Sequence, residues 1–270
     1  MVILFENKIP LKRSNANCSK FTAAFFCMME KMNPRLSVNI NKIALIRNSR
    51  GANLPDLSQV ARDCERFGAQ GITVHPRPDE RHVRKSDIAS LKKIVSTEFN
   101  IEGYPSSEFV DLVVKTKPEQ VTLVPDPPGA LTSDHGWDIK EYFNFLVDVL
   151  ASFKSAAIRT SLFIDADPKV VDWARKVGVD RVELYTGPYA AKFDNNPGMA
   201  VEAYKLTAQR CQAEGLGINA GHDLNLRNLS YFRRNVPGLL EVSIGHALVC
   251  DAIYIGLENS IQRYLWELQS

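Results

Sequence analysis

Short runs of apolar, often β-branched residues alternate with helical stretches from residue 36 onward, and this alternation constrains the fold more than any other feature. Several runs are nearly all apolar, as strands buried on both faces must be. Strand–helix alternation implies crossover connections and a parallel sheet. Eight strands are predicted: Leu36–Ile43, Gly71–Arg77, Asn100–Tyr104, Gln120–Pro125, Arg159–Asp165, Arg181–Thr186, Leu216–Ala220 and Glu241–His246.

Eight such units in about 235 residues favour a closed α/β barrel, the (β/α)8 or TIM barrel, over an open doubly wound sheet, which stays the alternative. The predicted barrel is a single domain over residues 36–270. Several predicted helices carry capping signals. Asp56 is placed as an N-cap with Gln59 completing a capping box, Asp167 precedes a proline, and helical spacing extends over Met199–Glu214 and Val249–Leu268.

Composition excludes several classes of protein. The net charge is +2, so there is no electrostatic case for nucleic acid, and no apolar run reaches the length of a membrane span. The five cysteines are scattered and lack a CxxC pair, so neither a disulfide framework nor a zinc site is expected. Buried thiols in a reducing cytoplasm are the simplest interpretation. No metal is expected either, because His75 and His82 are seven residues apart across a loop and lack metal-ligand spacing.

Residues 1–35 differ from the rest, with six basic and two acidic side chains. They carry +4, so residues 36–270 carry −2. We interpret them as a poorly ordered extension, or as the product of an upstream start codon with Met32 as the true start. A targeting peptide is the alternative, although no convincing cleavage site follows the apolar stretch.

Polar residues cluster where the predicted strands end, which in a barrel is the rim of the active site. Histidine titrates near neutral pH and suits proton transfer. Four of the five histidines lie at this rim or in the loops just after it, and only His135 lies elsewhere, in the long fourth loop. The residues predicted at the rim are Asn39, Asn41, Lys42, Arg47, Arg50, His75, Arg77, His82, Glu102, Glu183, His222, Gly245 and His246.

Two carboxylates, Glu102 and Glu183, interrupt apolar strands, where an unpaired charge is costly. They either form buried ion pairs with Arg77 or Lys42 or act as general bases with shifted pKa values. The basic side chains also suggest anionic ligands. Gly221 and Gly245 suggest close approach of backbone N–H groups to phosphate, with tight-turn geometry as the alternative.

These residues resemble the pyridoxine 5′-phosphate synthase family, which closes the ring in one route to vitamin B6. The resemblance covers about residues 36–268. It rests on segments in family order: Val38–Ala44, Arg47–Gly51, Gly71–Arg77, Asp79–His82, Leu123–Pro125, Ser161–Ala166, Asn219–His222 and Ile244–Ala247.

The resemblance implies a transferase that needs no cofactor. It would condense 3-amino-2-oxopropyl phosphate with 1-deoxy-D-xylulose 5-phosphate to give pyridoxine 5′-phosphate, phosphate and water. It implies His75 and Glu102 as proton acceptors, His222 as proton donor and Glu183 as transition-state stabiliser. It also implies cytoplasmic homo-oligomers, octamers in the family.

The resemblance assigns substrate contacts as well. Asn39, Arg50, Gly245 and His246 would hold the amino-ketone phosphate. The deoxyxylulose phosphate would contact Arg77, His82 and Thr132, with Asn41 and Lys42 beside it. Thr132 lies in the long connection from Asp126 to Tyr142, which would then act as a lid.

The chain departs from the commonest family pattern at two places. Strand 1 often ends Asp-His, where this chain has Asn41 and Lys42. The donor histidine is often followed by glycine, where this chain has Asp223, whose carboxylate would repel a phosphate unless its side chain turns away. The backbone N–H of Asp223 could still bind the phosphate. Two other functions stay open: a Schiff-base aldolase using Lys42 as nucleophile, and a non-catalytic phosphate-binding barrel.

Overall fold

The barrel prediction is confirmed by the computed structural model, which describes residues 33–126 and 133–270. Eight parallel strands pair in chain order, and β8 pairs with β1, so the sheet is closed and the open-sheet alternative is wrong. The strands are β1 (Arg35–Asn39), β2 (Gly71–Val74), β3 (Glu98–Gly103), β4 (Gln120–Leu123), β5 (Arg159–Ile164), β6 (Arg181–Tyr185), β7 (Gly217–Gly221) and β8 (Leu239–Ile244).

Helices surround this barrel, and within the described ranges none is long and apolar enough to cross a membrane. They are α1 (Asn41–Asn48), α2 (Leu57–Arg66), α3 (Lys85–Ile94), α4 (Ser107–Thr116), α5 (Phe143–Ser155), α6 (Pro168–Val177), α7 (Gly187–Phe193), α8 (Pro197–Glu214), α9 (Leu229–Asn235), α10 (His246–Ile255) and α11 (Leu257–Gln269).

Helix ends follow the predicted caps with two exceptions. Asp56 and Asp167 both accept a backbone N–H at the start of their helices, as predicted. The capping box is wrong, because Gln59 donates to Asp63 one turn along the helix. The single helix predicted over Val249–Leu268 is also wrong, because Gly256, at φ +82°, separates α10 from α11.

The end of the first strand differs from the prediction in a way that matters for the site. Asn41 and Lys42 were predicted on the strand, but β1 ends at Asn39 and both residues lie in the first turn of α1. The side-chain Oδ1 of Asn39 accepts the backbone N–H of Asn41 at 3.0 Å, which satisfies one of the unpaired donors of the helix start. Arg47, predicted in a loop, therefore lies on α1.

The barrel interior is layered. Successive same-face residues on β3 mark three levels, because side chains alternate along a strand. Glu98 joins an ion-pair network with Arg35 and Arg159 at the amino ends of the strands. Asn100 lies in a hydrogen-bonded middle layer with Thr73 and Thr122. Glu102 forms the third level, near the carboxyl end of β3. The two layers below it therefore support a site at the carboxyl ends of the strands.

Candidate active site

Two carboxyl groups lie at the upper end of the barrel interior. Glu102 is on β3, where Nδ2 of Asn39 donates to its Oε2 at 3.4 Å. Glu183 is on β6, is buried, and is hydrogen-bonded to Thr122 of the middle layer. Each side chain is therefore tied to a strand two places away in the barrel, and its orientation is set by the barrel itself.

Burial raises the pKa of both carboxyl groups. Desolvation raises the pKa of Glu183 to about 7, although the hydrogen bond with Thr122 and the charge of His222 act in the opposite direction. Desolvation, followed by the charge of Glu183, raises the pKa of Glu102 well above its ordinary value. A carboxyl group with the pKa of Glu183 exchanges protons near neutral pH, which suits general acid–base catalysis.

Arg77, considered from sequence as an ion-pair partner for Glu102, forms a buried ion pair with Asp126, and its charge also acts on Glu102. Its Nη2 lies 2.9 Å from Oδ2 of Asp126, which also accepts the hydroxyl of Ser133 at 2.5 Å. Sequence reasoning did not place Asp126 in the site, although its position just beyond β4 could have indicated it. Thr132 lies outside the described residues.

A cleft opens beside His75, Arg77 and Asp126 and continues to Tyr104 and Lys85. The cleft brings one predicted base and one predicted phosphate ligand to the same space.

The histidines that follow β2 are both buried, and their ring centroids are 6.3 Å apart. Desolvation and then the charge of Arg77 lower the pKa of His75 well below its ordinary value. The same two causes lower the pKa of His82 to about 4. Both rings are therefore neutral near pH 7, and a neutral His75 can accept a proton.

The loop that carries His82 is held by α1, a relationship the sequence reasoning missed. Arg47 is fully buried, donates to both carboxylate oxygens of Asp87 at 2.8 and 2.9 Å, and reaches the carbonyl of His82. The side-chain amide of Asn48 donates to the same carbonyl at 2.7 Å. Nδ1 of His82 accepts the backbone N–H of Val83, so the neutral ring carries its proton on Nε2.

His222 follows β7 at the same rim. Its ring meets the ring of Tyr185 edge-on, with centroids 5.1 Å apart. The preceding Gly221 is required by Glu183, because a Cβ at residue 221 would collide with Oε1 of that carboxylate. Tight-turn geometry does not explain this glycine, since its φ is not positive.

The residues predicted to hold the amino-ketone phosphate lie around the junction of β1 and β8. Gly245 packs against Asn39, and a Cβ at residue 245 would lie 3.0 Å from the Asn39 carbonyl oxygen. His246 is the first residue of α10, where backbone N–H groups favour an anion. His246, Arg50 and Lys42 are exposed at the rim.

Beside Lys42, the side chain of Asn41 turns back to β2, and its Oδ1 accepts the backbone N–H of His75 at 2.9 Å. Asn41 thus contacts a predicted base. In residues 33–126 and 133–270, no group of three or more histidine, cysteine or acidic side chains could hold a metal ion.

Comparison with solved structures places the same fold in proteins of unrelated sequence. The chain is similar to tryptophan synthase from M. tuberculosis, with a TM-score of 0.61 and 12% identity over 92% of this chain and 97% of that one. It is also similar to orotidine 5′-monophosphate decarboxylase from Methanocaldococcus jannaschii, with a TM-score of 0.58 and 10% identity over 88% of this chain and all of that one. At these identities the likeness shows the fold alone.

Comparison of sequences is more specific. The chain is 60% identical over 235 residues to pyridoxine 5′-phosphate synthase of Cytophaga hutchinsonii, covering 87% of this chain and 99% of that protein. It is 58% identical over 230 residues to pyridoxine 5′-phosphate synthase of Bacteroides fragilis, covering 85% and 97% respectively. The family model described as pyridoxal phosphate biosynthesis protein PdxJ matches residues 36–270. The chain therefore belongs to the PdxJ family of pyridoxal phosphate biosynthesis proteins.

Proposed function

We propose that this chain is a pyridoxine 5′-phosphate synthase. It condenses 3-amino-2-oxopropyl phosphate with 1-deoxy-D-xylulose 5-phosphate, and it releases pyridoxine 5′-phosphate, phosphate and water. The observation that carries the proposal is the pair Glu102 and Glu183, two buried carboxyl groups above a hydrogen-bonded barrel layer. His75 and His222 lie just beyond the ends of the adjacent strands β2 and β7.

The reaction joins an amine to a ketone, eliminates phosphate and water, and closes a ring. Each of these steps moves a proton, so the reaction needs several acid–base groups. His75 is neutral near pH 7 and serves as a base. Glu102 is the second base. Glu183, which acts on Glu102 electrostatically, stabilises positive charge that develops on the substrate. His222 donates the proton that lets a hydroxyl group leave as water.

Two phosphates require two binding regions. Arg77 and the Nε2–H of His82 would hold the ketose phosphate at the cleft, next to His75. The start of α10, with Gly245 and His246, would hold the amino-ketone phosphate together with Arg50 and Asn39. The two regions lie on either side of β1, so the bound substrates would meet above Glu102.

The direct test is to incubate the purified protein with both substrates and measure product fluorescence and phosphate release. We expect both signals from the wild-type protein and neither from His222→Asn, with unchanged circular dichroism. Folded wild-type protein that yields no product would contradict the proposal. Normal turnover in the His222→Asn variant would contradict the donor role.

The Schiff-base aldolase is disfavoured by the position of Lys42. This side chain is exposed in the first turn of α1, whereas a lysine nucleophile needs a desolvating pocket or a cationic neighbour to lower its pKa. Borohydride with a ketose phosphate should leave Lys42 unlabelled, and labelling there would favour the aldolase.

The proposed setting is a cytoplasmic homo-oligomer that binds phosphorylated small molecules and neither nucleic acid nor membrane. Three large apolar side chains of α10 and α11 support self-association, since Ile253, Tyr254 and Trp266 are 72%, 88% and 69% exposed in the single chain. Sedimentation of the wild type against Tyr254→Asp tests this. We expect a smaller species from the variant, and a monomeric wild type would contradict self-association.

A further inference from the structure

The side chain of Asp223 turns toward His222 rather than toward the space predicted for a phosphate. Oδ2 of Asp223 lies 2.9 Å from Nδ1 of His222. The hydrogen bond to His222 holds the pKa of Asp223 below its ordinary value, so this group is a carboxylate at neutral pH. At a position where the family often has glycine, this chain thus has a carboxylate that is hydrogen-bonded to His222, the predicted proton donor.

The backbone that produces this contact is unusual. His222 and Asp223 have φ values of +85° and +57°, in the left-handed region that few residues other than glycine adopt. Surrounding hydrogen bonds hold them there. The hydroxyl of Thr186 donates to the carbonyls of Gly221 and His222, and the side-chain amide of Asn228 donates to the carbonyl of Asp223 at 3.3 Å.

The consequence for the imidazole is chemical. A carboxylate accepts the Nδ1 proton, so the neutral ring keeps the Nδ1–H tautomer, and Nε2 is the nitrogen directed away from Asp223. Third groups orient catalytic histidines in this way in many enzymes. We propose that Asp223 is a positioning residue that fixes the ring and tautomer of His222 for proton donation through Nε2; this inference rests on the proposed function.

The imidazolium of His222 gives its Nε2 proton to a substrate hydroxyl, the C–O bond breaks with its electron pair on oxygen, and water leaves. The ring that remains is the neutral Nδ1–H tautomer, which Asp223 already binds. Four other titratable groups also act on this pair electrostatically or by ring contact, namely Asp134, Glu183, Tyr185 and His246.

Three variants separate the contributions. Asp223→Asn removes the charge, and Asp223→Gly removes the whole side chain while permitting the left-handed backbone. Asp172→Asn removes a comparably exposed carboxylate on α6 that is paired with Arg210 and takes no part in the site. We expect kcat to fall by about 10-fold to 100-fold in both Asp223 variants. The fall is no larger because the His222–Asp223 pair is partly exposed to solvent. KM should stay within about twofold of the wild-type value. Asp172→Asn should stay within about twofold of the wild type.

The second measurement is ¹⁵N NMR of the His222 ring in the enzyme without substrates, at a pH where the ring is neutral. We expect the Nδ1–H tautomer in the wild type and a shift toward Nε2–H in Asp223→Asn. Wild-type kcat in both Asp223 variants, or an unchanged tautomer, would overturn the inference. If the wild-type enzyme makes no product, the proposed function fails, and the tautomer alone decides whether Asp223 fixes the ring.

Discussion

Gly221 on β7 lies directly against Oε1 of Glu183 on β6. A Cβ built at residue 221 falls well inside the 3.0 Å below which such contacts do not occur. The two residues are neighbours across the parallel pair β6–β7, in which Glu183 is aligned with Asn219. The absence of a side chain at residue 221 is therefore what leaves room for a buried carboxyl group with a pKa of about 7.

Replacing this glycine should damage catalysis more than folding. In Gly221→Ala we expect the new methyl group to displace Glu183, with a loss of about 1 to 3 kcal/mol of stability and a fall in kcat of about 10-fold or more. The measurements are urea unfolding and steady-state turnover. Gly198→Ala is the matched control, since its Cβ would meet only ordinary contacts, and it should leave both quantities nearly unchanged. Wild-type kcat in Gly221→Ala would contradict the positioning of Glu183.

Glu183→Gln should lose activity and gain stability, and the gain in stability should depend on pH. Burial raises the pKa of Glu183 above its value in the unfolded chain, so the folded state binds more protons than the unfolded state between those two values. The wild-type protein therefore loses stability as pH rises from about 4.5 to about 7, a loss that the neutral glutamine avoids.

We expect Glu183→Gln to be inactive, and more stable than the wild type by about 1 to 3 kcal/mol at about pH 8 but not at about pH 5. Urea unfolding at the two pH values measures this difference. Glutamine at the exposed Glu202 is the control and should show no such dependence. A stability difference that is equal at both pH values would contradict the raised pKa.

The acid limb of the pH–rate profile should report carboxyl groups and not histidines. The pKa values of His75 and His82 are lowered by burial, so neither ring gains a proton until well below neutral pH. Glu183 loses its negative charge as pH falls through its raised pKa of about 7, so kcat should decline below about pH 7. The raised pKa of Glu102 acts in the same direction.

The temperature dependence of that limb identifies the group, because carboxyl ionisation has a small enthalpy and imidazole ionisation a large one. We expect the midpoint in kcat to move little between two temperatures. Using kcat reduces interference from titration of the free substrate phosphates. A midpoint that shifts strongly with temperature would assign the limb to an imidazole.

Arg47→Met should destabilise the protein and loosen the loop that carries His82. The change leaves Asp87 without its buried partner and removes a donor to the His82 carbonyl, which should cost about 3 kcal/mol. We also expect KM for the ketose phosphate to rise more than KM for the amino-ketone phosphate. Arg66→Met is the control, because its ion pair with Asp63 is exposed and should contribute less than about 1 kcal/mol. Equal losses in the two variants would contradict a special role for Arg47.

The sequence by itself determined the barrel and the neighbourhood of the site. Eight apolar runs separated by capped helices can close in few ways, because parallel strands need crossovers and both faces of the sheet need cover. Since all strands of such a barrel point the same way, polar residues after their carboxyl ends meet at one rim. His75, Glu102, Glu183 and His222 could be found on that basis without coordinates.

The tertiary structure alone decided which of these residues touch and what charge they carry. Arg77 pairs with Asp126, and Asp223 turns to His222. Asn39 ends the first strand by bonding the start of α1, where the sequence predicted continued strand. These outcomes depend on distances between side chains far apart in the chain and on the water removed around them. The alternation of apolar runs and the spacing of residues along the sequence contain information on neither of these. The pKa shifts and the side-chain pairings are therefore seen only in the folded barrel.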